Sequence, residues 1–455
     1  MNKKQKTMFE QYKDEINRQF LVPLHERNRA LAQRCYKEKG VRPRPDGEYQ
    51  RDYTRILYAS SFRRLQGKMQ LFAVQSDQFI RNRLTHSLEV AQIARSIAYA
   101  IGYDREEIYV VEACALAHDI GNPCFGHAGE RFLNTLCKDF GGFEGNAQTF
   151  RILTTVEQKR GDFQGLNLTY RTLLGVLKYY NRFDSGLQGD EYSKQKFIYD
   201  MDYDLVRDIV KKTKVRLRTL DVQIVDIADE IAYAAHDLED GLRLGSLEID
   251  EVLHDFCKMV NDKGCQKQLE DIFLTSKKRV GFKSNKIDSA EYVKLYRKEV
   301  TSKIINTLIG DIGIVKLTDK QKKKKGTTEE REIGFVNYGE LASGLKSTIY
   351  KCITNSDKVY AYENEGNFMV QSLFRFYSQN PEYLPPEYRA KSMKEQYADI
   401  YEKVQEKDLQ NRLAIDYISG MMDEYVKTTY QKLEPIIEEQ RELEDLKKIN
   451  EERKW

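Results

Sequence analysis

The sequence predicts an all-α protein, on three observations. Prolines number only eight in 455 residues. Leu, Ile, Tyr, Lys and Glu are abundant, and apolar residues recur over long stretches with a period near 3.6. Hydrophobic residues make up 40% and charged residues 32%, a balance that suits a water-soluble body with a large core. No window nears the roughly 18 uninterrupted apolar residues of a membrane span. The start, MNKKQKTMFEQYKDE, lacks the apolar stretch of a secretory leader. Seven cysteines (35, 114, 124, 137, 257, 265, 352) are scattered without a CxxC pair, so neither a disulfide framework nor a zinc ribbon is implied. A reduced, cytoplasmic setting and no membrane partner are expected. The patterning divides the chain into an N-terminal helical arm (1–49), a helical core (50–260) and a helical C-terminal region (261–455).

The elements follow in order. RLTHSLEVAQIARSIAYAIG (83–102) sets Leu84, Leu88, Ala91, Ala94 and Ala98 along one side, and Gly102 stops it. EEIYVVEACALAHDIG (106–121) is apolar through its middle, as a helix buried on most sides should be. DVQIVDIADEIAYAAHDLEDG (221–241) is a second such helix, with Gly241 as its stop. LTDKQKKKKGTTEEREIG (317–334) reads as an exposed Lys-rich loop or a short hairpin. Helical patterning resumes near residue 385. After Pro435 a charged helix carries only a thin stripe of Leu443, Leu446 and Ile449. The net charge is +3, so the whole molecule does not attract polyanions. RNR (81–83), KKTKVRLR (211–218) and KKKK (322–325) are dense enough to hold phosphates, although solvated faces account for most such runs.

His118 and Asp119 are adjacent at the end of a buried helix, before Gly121-Asn122-Pro123. Neighbours on a regular helix diverge by about 100°, so two adjacent side chains meet one ion most easily at a helix terminus. Asp119 in an apolar run is costly unless paired or metal-bound. Taken alone, the pair fits a structural role as well as a functional one. His86 in RNRLTHSLEV and Asp229 in VDIADEIAY add a second imidazole and a second carboxylate. That set lacks a thiolate and offers two hard oxygens, so it suits Mg, Mn, Fe or Co in octahedral geometry better than a structural zinc. Four protein ligands leave two positions for water and a phosphate oxygen, as metal-assisted phosphoester hydrolysis requires.

The order H…HD…D is that of the HD-domain phosphohydrolases. RDYTRILYASSFRRLQGKMQLF, RNRLTHSLEVAQ, HDIGNPCFGHAGE, FEGNAQTFRIL, LNLTY and DIADEIAYAAHDLEDG together resemble the deoxyguanosine triphosphate triphosphohydrolase family. The resemblance spans about residues 50–245, with a weaker echo in DYISGMMDEY (416–425). It implies an HD-domain helical core with additional C-terminal helices. It places His86, His118, Asp119 and Asp229 on one divalent ion per subunit, Mg or Mn ahead of Fe or Co. His127 and Glu130 stand at the catalytic positions, and their i, i+3 spacing sets carboxylate and imidazole side by side. Asn122 and Glu144 support them. Tyr233 and Asp237 lie four and eight residues after Asp229 on one helix face. By resemblance the ring packs on the deoxyribose, excluding a 2′-hydroxyl, and the acid bonds the 3′-hydroxyl. Gln70 resembles a further sugar contact. Arg83, three residues before His86, is placed to take the α-phosphate bidentately. Lys178, Tyr179 and Lys196 resemble additional phosphate contacts, although the Tyr179–Tyr180 pair and Ile198 depart from the glycine and proline expected there. Glu230 is acidic, as in the dGTPase branch.

The resemblance implies water attack on the α-phosphate of dGTP, or of other dNTPs, releasing deoxynucleoside and intact triphosphate. His127 either protonates the leaving 5′-oxygen or relays a proton with Glu130. Homo-oligomers are implied, hexamer ahead of tetramer, and single-stranded DNA is a second partner to test. Two other readings stay open: an HD phosphohydrolase of another nucleotide, and a nucleic-acid-binding protein on an HD fold.

Overall fold

The computed structural model describes residues 6–40, 42–71, 80–161, 163–281, 287–354, 357–397, 401 and 404–452, without the side chains of 354, 357–360 and 444–452. Among these residues the protein is helical apart from one two-stranded sheet. The elements used below are α1 (Met8–Ile16), α2 (Gly47–Leu57), α3 (Arg83–Ile101), α4 (Arg105–Ala117), α5 (Gly126–Leu136), α6 (Gly145–Arg151), α7 (Asp200–Thr213), α8 (Leu220–Arg243), α9 (Lys263–Val280) and α10 (Ser289–Gly310). Strands β1 (Ile312–Lys316) and β2 (Arg331–Phe335) flank α11 (Asp319–Lys325). They are followed by α12 (Gly339–Thr354), α13 (Asp357–Gln379), α14 (Glu406–Ser419) and α15 (Asp423–Glu452).

Helices α3, α4 and α8 pack on one another, α2 covers α4, and α10 and α12 cover α8. Their apolar faces form one continuous core, which Phe9, Ile16, Leu21, Leu24 and Leu31 of the N-terminal residues join. A second core gathers Phe125, Leu133, Leu373, Leu413, Ile418 and Val426 from α5, α13, α14, α15 and the turn before α5. The buried ion pair of Arg151 with Asp416 (2.7 Å) ties α6 to α14.

Several local expectations change. On α3 the buried face runs through His86, Val90, Ile93, Ala94, Ile97 and Ile101, while Leu88 points outward, 47% exposed. The helix touches α4 and α8 together, and their joint footprint falls on the side away from Leu88. Gly241 does not stop α8, which continues to Arg243. A Cβ at Gly241 would lie 2.3 Å from Leu247 Cδ1, so this glycine serves close approach. Pro435 lies inside α15 rather than before it. Leu443 is exposed, and the side chains of Leu446 and Ile449 lie outside the described residues.

The Lys-rich segment takes the hairpin form, the second of the two expected, with a helix between its strands. β1 and β2 pair antiparallel from Ile312↔Phe335 to Lys316↔Arg331. Between them α11 forms a helix capped reciprocally by Thr318 and Gln321 and closed by Gly326 in the left-handed region. The lysines dominate the local composition and hide the apolar alternation in IGIVK and REIGF.

Candidate functional site

His86 sits in the first turn of α3, fully buried, His118 follows the last residue of α4, and Asp229 lies mid-way along α8. Packing of these three helices brings the side chains together. His86 Nε2 is 3.1 Å from Asp229 Oδ1. His118 Nε2 is 3.4 Å from the same oxygen and 3.5 Å from Asp119 Oδ1. Donor atoms of His86, His118 and Asp119 all lie within 4.8 Å of one another. Neighbouring ligands on an octahedral ion with bonds of about 2.1 Å stand about 3 Å apart, so the donor set fits a small divalent cation.

The surrounding hydrogen bonds orient the donors. His118 Nδ1 donates to the Ala115 carbonyl at 2.7 Å, which turns the buried Nε2 toward the Asp119 and Asp229 carboxylates, the side on which a bound ion would take its lone pair. Asp119 Oδ2 accepts from Arg83 Nη1 at 2.7 Å, and Oδ1 accepts from the Asn122 amide. The Gly-Asn-Pro turn thereby holds Asp119 as well as reversing the chain. Gly121 is required there, because a Cβ would lie 2.1 Å from the Thr149 nitrogen. Burial disfavours charge on both imidazoles. For His86 it prevails and lowers the pKa, whereas at His118 the Asp119 and Asp229 carboxylates outweigh it and raise the pKa to about 9. Burial raises Asp119, but His118, Arg83 and His86 prevail and lower it to about 2.

His127 opens α5, and its Nδ1 lies 3.4 Å from Glu130 Oε2. Its ring is partly exposed and faces the Tyr350 ring at 6.3 Å, so its contacts are with these two rather than with the four donors. Glu130 Oε1 accepts from the Gly145 N–H (3.1 Å) and faces Lys196 Nζ at 3.5 Å. Burial opposes its charge, but Lys196 and His127 hold its pKa far below the usual carboxylate range. Lys196 Nζ also pairs with Glu144 Oε1 at 2.7 Å. His127, Glu130, Glu144 and Lys196 line one cavity of about 90 Å³.

Tyr233, Lys178 and Arg83 touch the donor set directly. Tyr233 packs its ring 5.0 Å from that of His86. Lys178 Nζ pairs with Asp226 Oδ1 (3.1 Å) and reaches to 3.7 Å from Asp229 Oδ2. Tyr179 is buried under Lys196, whose Nζ lies 5.7 Å from the ring centroid. Arg83 is buried, and its Nε has no acceptor among the described residues. Gln70 is buried with its Oε1 unpartnered among them. Burial, then Asp240, pushes Asp237 up to about 8, so its carboxyl is mostly protonated near neutrality. Burial also raises Glu230, beside Asp229.

Four residues went unnoticed in the sequence. Lys68 is buried and donates to the carbonyls of Asn122 (2.6 Å) and Ser419 (2.8 Å). Lys346 on α12 sets its Nζ 3.7 Å from the Tyr233 ring centroid. Asp226 bridges Lys178 to Arg218. Asp423 accepts from the N–H groups of Met69 (3.1 Å) and Phe125 (3.0 Å), clamping the loops on either side of the donors. Lys68 and Asp226 fall inside the motif blocks and Asp423 inside the weaker echo; Lys346 falls in none.

Helical packing that delivers two imidazoles and two carboxylates to one point defines the class: this is an HD-domain phosphohydrolase. The chain matches the HD domain over residues 83–234 and the phosphohydrolase-associated domain over 338–432; HD domains bind divalent metals. It is 41% identical to deoxyguanosinetriphosphate triphosphohydrolase-like protein 2 of Vibrio cholerae, across 88% of this chain and 92% of that one. The corresponding like-proteins of Deinococcus radiodurans and Leptospira interrogans are 34% and 32% identical, each across 85% of this chain, and 92% and 89% of their own lengths. The chain belongs to the deoxyguanosinetriphosphate triphosphohydrolase-like family.

Proposed function

We propose that the protein hydrolyses dGTP, and other dNTPs, to the deoxynucleoside and inorganic triphosphate, using one divalent ion per subunit, Mg or Mn ahead of Fe or Co. The observation that carries this reading is the convergence of His86, His118, Asp119 and Asp229 beside the Tyr233 ring. Bound there, the ion would polarise the α-phosphate and make a water nucleophilic near neutral pH.

The chain's own groups supply the rest. Arg83, Lys178 and Lys196 neutralise phosphate charge that one divalent ion leaves uncompensated. The Tyr233 ring supports the deoxyribose and closes the space a 2′-hydroxyl needs. Asp237, protonated at neutral pH, bonds the 3′-hydroxyl, and Gln70 offers its unpartnered oxygen to the sugar. Tyr179, kept neutral by burial, donates to phosphate. Glu130 stays anionic beside Lys196 and His127, so it orients the imidazole, and His127 carries the proton to the leaving 5′-oxygen. Asn122 acts through Asp119, and Glu144 through Lys196. The reading includes a cytoplasmic homo-oligomer, hexamer ahead of tetramer, and single-stranded DNA as a second partner.

The test is product analysis with dGTP, GTP and the other dNTPs in Mg²⁺ or Mn²⁺, with and without chelator, beside His118→Ala. The expected result is deoxyguanosine and uncleaved triphosphate, lost in the variant and on chelation. Diphosphate or monophosphate products would overturn it. Turnover of a nucleotide bearing a 3′-pyrophosphate would favour an HD hydrolase of another substrate. Metal-independent, salt-sensitive nucleic-acid binding without turnover would favour the binding-protein reading.

A further inference from the structure

The KKKK run carries a role that composition alone assigns to solvent. Its helix, α11, is docked by backbone contacts onto the segment that follows Lys178 and Tyr179. The Asn181 amide donates to the carbonyls of Lys196 (3.0 Å), Lys323 (3.2 Å) and Lys324 (2.9 Å). The Tyr180 N–H donates to the Lys325 carbonyl at 3.0 Å. Gly326, which closes the helix, lies against Tyr180 so tightly that a Cβ would fall 2.2 Å from its carbonyl oxygen. One asparagine thus fastens the end of α11 to both phosphate-contact segments, 178–181 and 196.

The lysines of this run are not equivalent. Lys322 pairs with Asp319 and Glu330, each at 3.0 Å, and Lys325 pairs with Glu332. Lys324 has no carboxylate partner among the described residues. Neither has Lys346, whose ammonium rests on the Tyr233 ring. By contrast Lys178 and Lys196 are already matched by Asp226 and Glu144. Partial desolvation of this exposed side chain, and then the like charges of Lys196, Lys178 and Lys346, lower the pKa of Lys324 against the pull of Asp226. Both side chains are exposed, and the carboxylates that act on them, Asp226 on Lys324 and Glu230 and Asp237 on Lys346, form no direct ion pair with them, so both ammonium groups stay available to an anion.

We propose that Lys324, carried to the Lys178–Asn181 segment by the β1–α11–β2 hairpin, binds together with Lys346 the terminal phosphates of the substrate and the released inorganic triphosphate. The assignment rests on the triphosphate reading of the pocket. Lys178 and Lys196 serve the phosphate nearest the donors, and the two unpaired lysines take the outer charge.

Inorganic tripolyphosphate is the probe, titrated calorimetrically into metal-loaded wild type, Lys324→Met, Lys324→Arg, Lys346→Met and Lys320→Met. Lys320 is exposed like Lys324 but lies in the first turn of the helix, away from the end fastened by Asn181, and serves as the control. Expected is a loss of about tenfold in affinity for Lys324→Met and for Lys346→Met, recovery in Lys324→Arg, and wild-type binding in Lys320→Met. Binding by Lys324→Met within about twofold of wild type would overturn the assignment, as would equal losses in Lys320→Met. The two readings separate cleanly. If no dNTP yields triphosphate but tripolyphosphate binding needs Lys324, the proposed reaction falls and the anion site stands. If dGTP is hydrolysed while Lys324→Met changes neither KM nor tripolyphosphate binding, the anion site alone falls.

Discussion

Asp202, at the start of α7, is a buried acid that the proposed reaction does not use. Its Oδ1 accepts from the Thr154 hydroxyl at 3.0 Å, whereas Oδ2 has no partner among the described residues. Burial raises its pKa from 3.8 to about 6, against the pull of Arg151 and the Thr154 hydroxyl. The folded state therefore binds more protons than the unfolded chain between these two values, so stability falls as pH rises through that window. A shift of roughly two units costs about 3 kcal/mol once both states are ionised. Asp202→Asn removes the titration and keeps an oxygen for Thr154. The variant should gain on wild type with rising pH, by roughly 2 kcal/mol between pH 4.5 and pH 8. Urea unfolding followed by circular dichroism at the two pH values measures this difference, and any fixed cost of seating the amide cancels. A stability difference that stays constant with pH, or moves the other way, would refute the raised pKa and the burial argument behind it.

Two further outcomes follow from the site. Asp423→Ala leaves the buried N–H groups of Met69 and Phe125 without their acceptor, so stability should fall by about 2–4 kcal/mol and turnover should drop with it; urea unfolding and steady-state kinetics read the two losses. Tyr233→Leu removes the ring packed on His86, so the preference for dGTP over GTP in kcat/KM should shrink by about tenfold, measured as competition between the two nucleotides.

The helical class was legible because period and proline scarcity are local properties, and the structure keeps it. The convergence of His86, His118, Asp119 and Asp229 was legible for a related reason: costly groups such as Asp119 and Asp229 stand out in otherwise apolar runs. Leu88 was misread because spacing within one helix does not say how many neighbours that helix has. Gly241 was misread because close approach of Leu247 leaves the same mark as a terminator. The hairpin was legible as one of two forms, but the helix between its strands was not, because the pairings of Lys322 with Asp319 and Glu330 and of Lys325 with Glu332 are completed only once the strands meet. Lys346 had no local signature, since its significance comes from α12 crossing α8 above Tyr233.

The clamp made by Asp423 also has a consequence in time. Every residue of the donor set has been synthesised once α8 is complete, but the carboxylate that ties down residues 69 and 125 arrives about 180 residues later. At ribosomal speeds of 5–20 residues per second that is an interval of roughly 10–40 s. During it the nascent chain holds all four donors while the loops around them lack their common anchor. The candidate metal centre is therefore finished from its C-terminal end, and a nascent chain cut short before α15 would carry His86, His118, Asp119 and Asp229 without the clamp that holds the neighbouring loops in place.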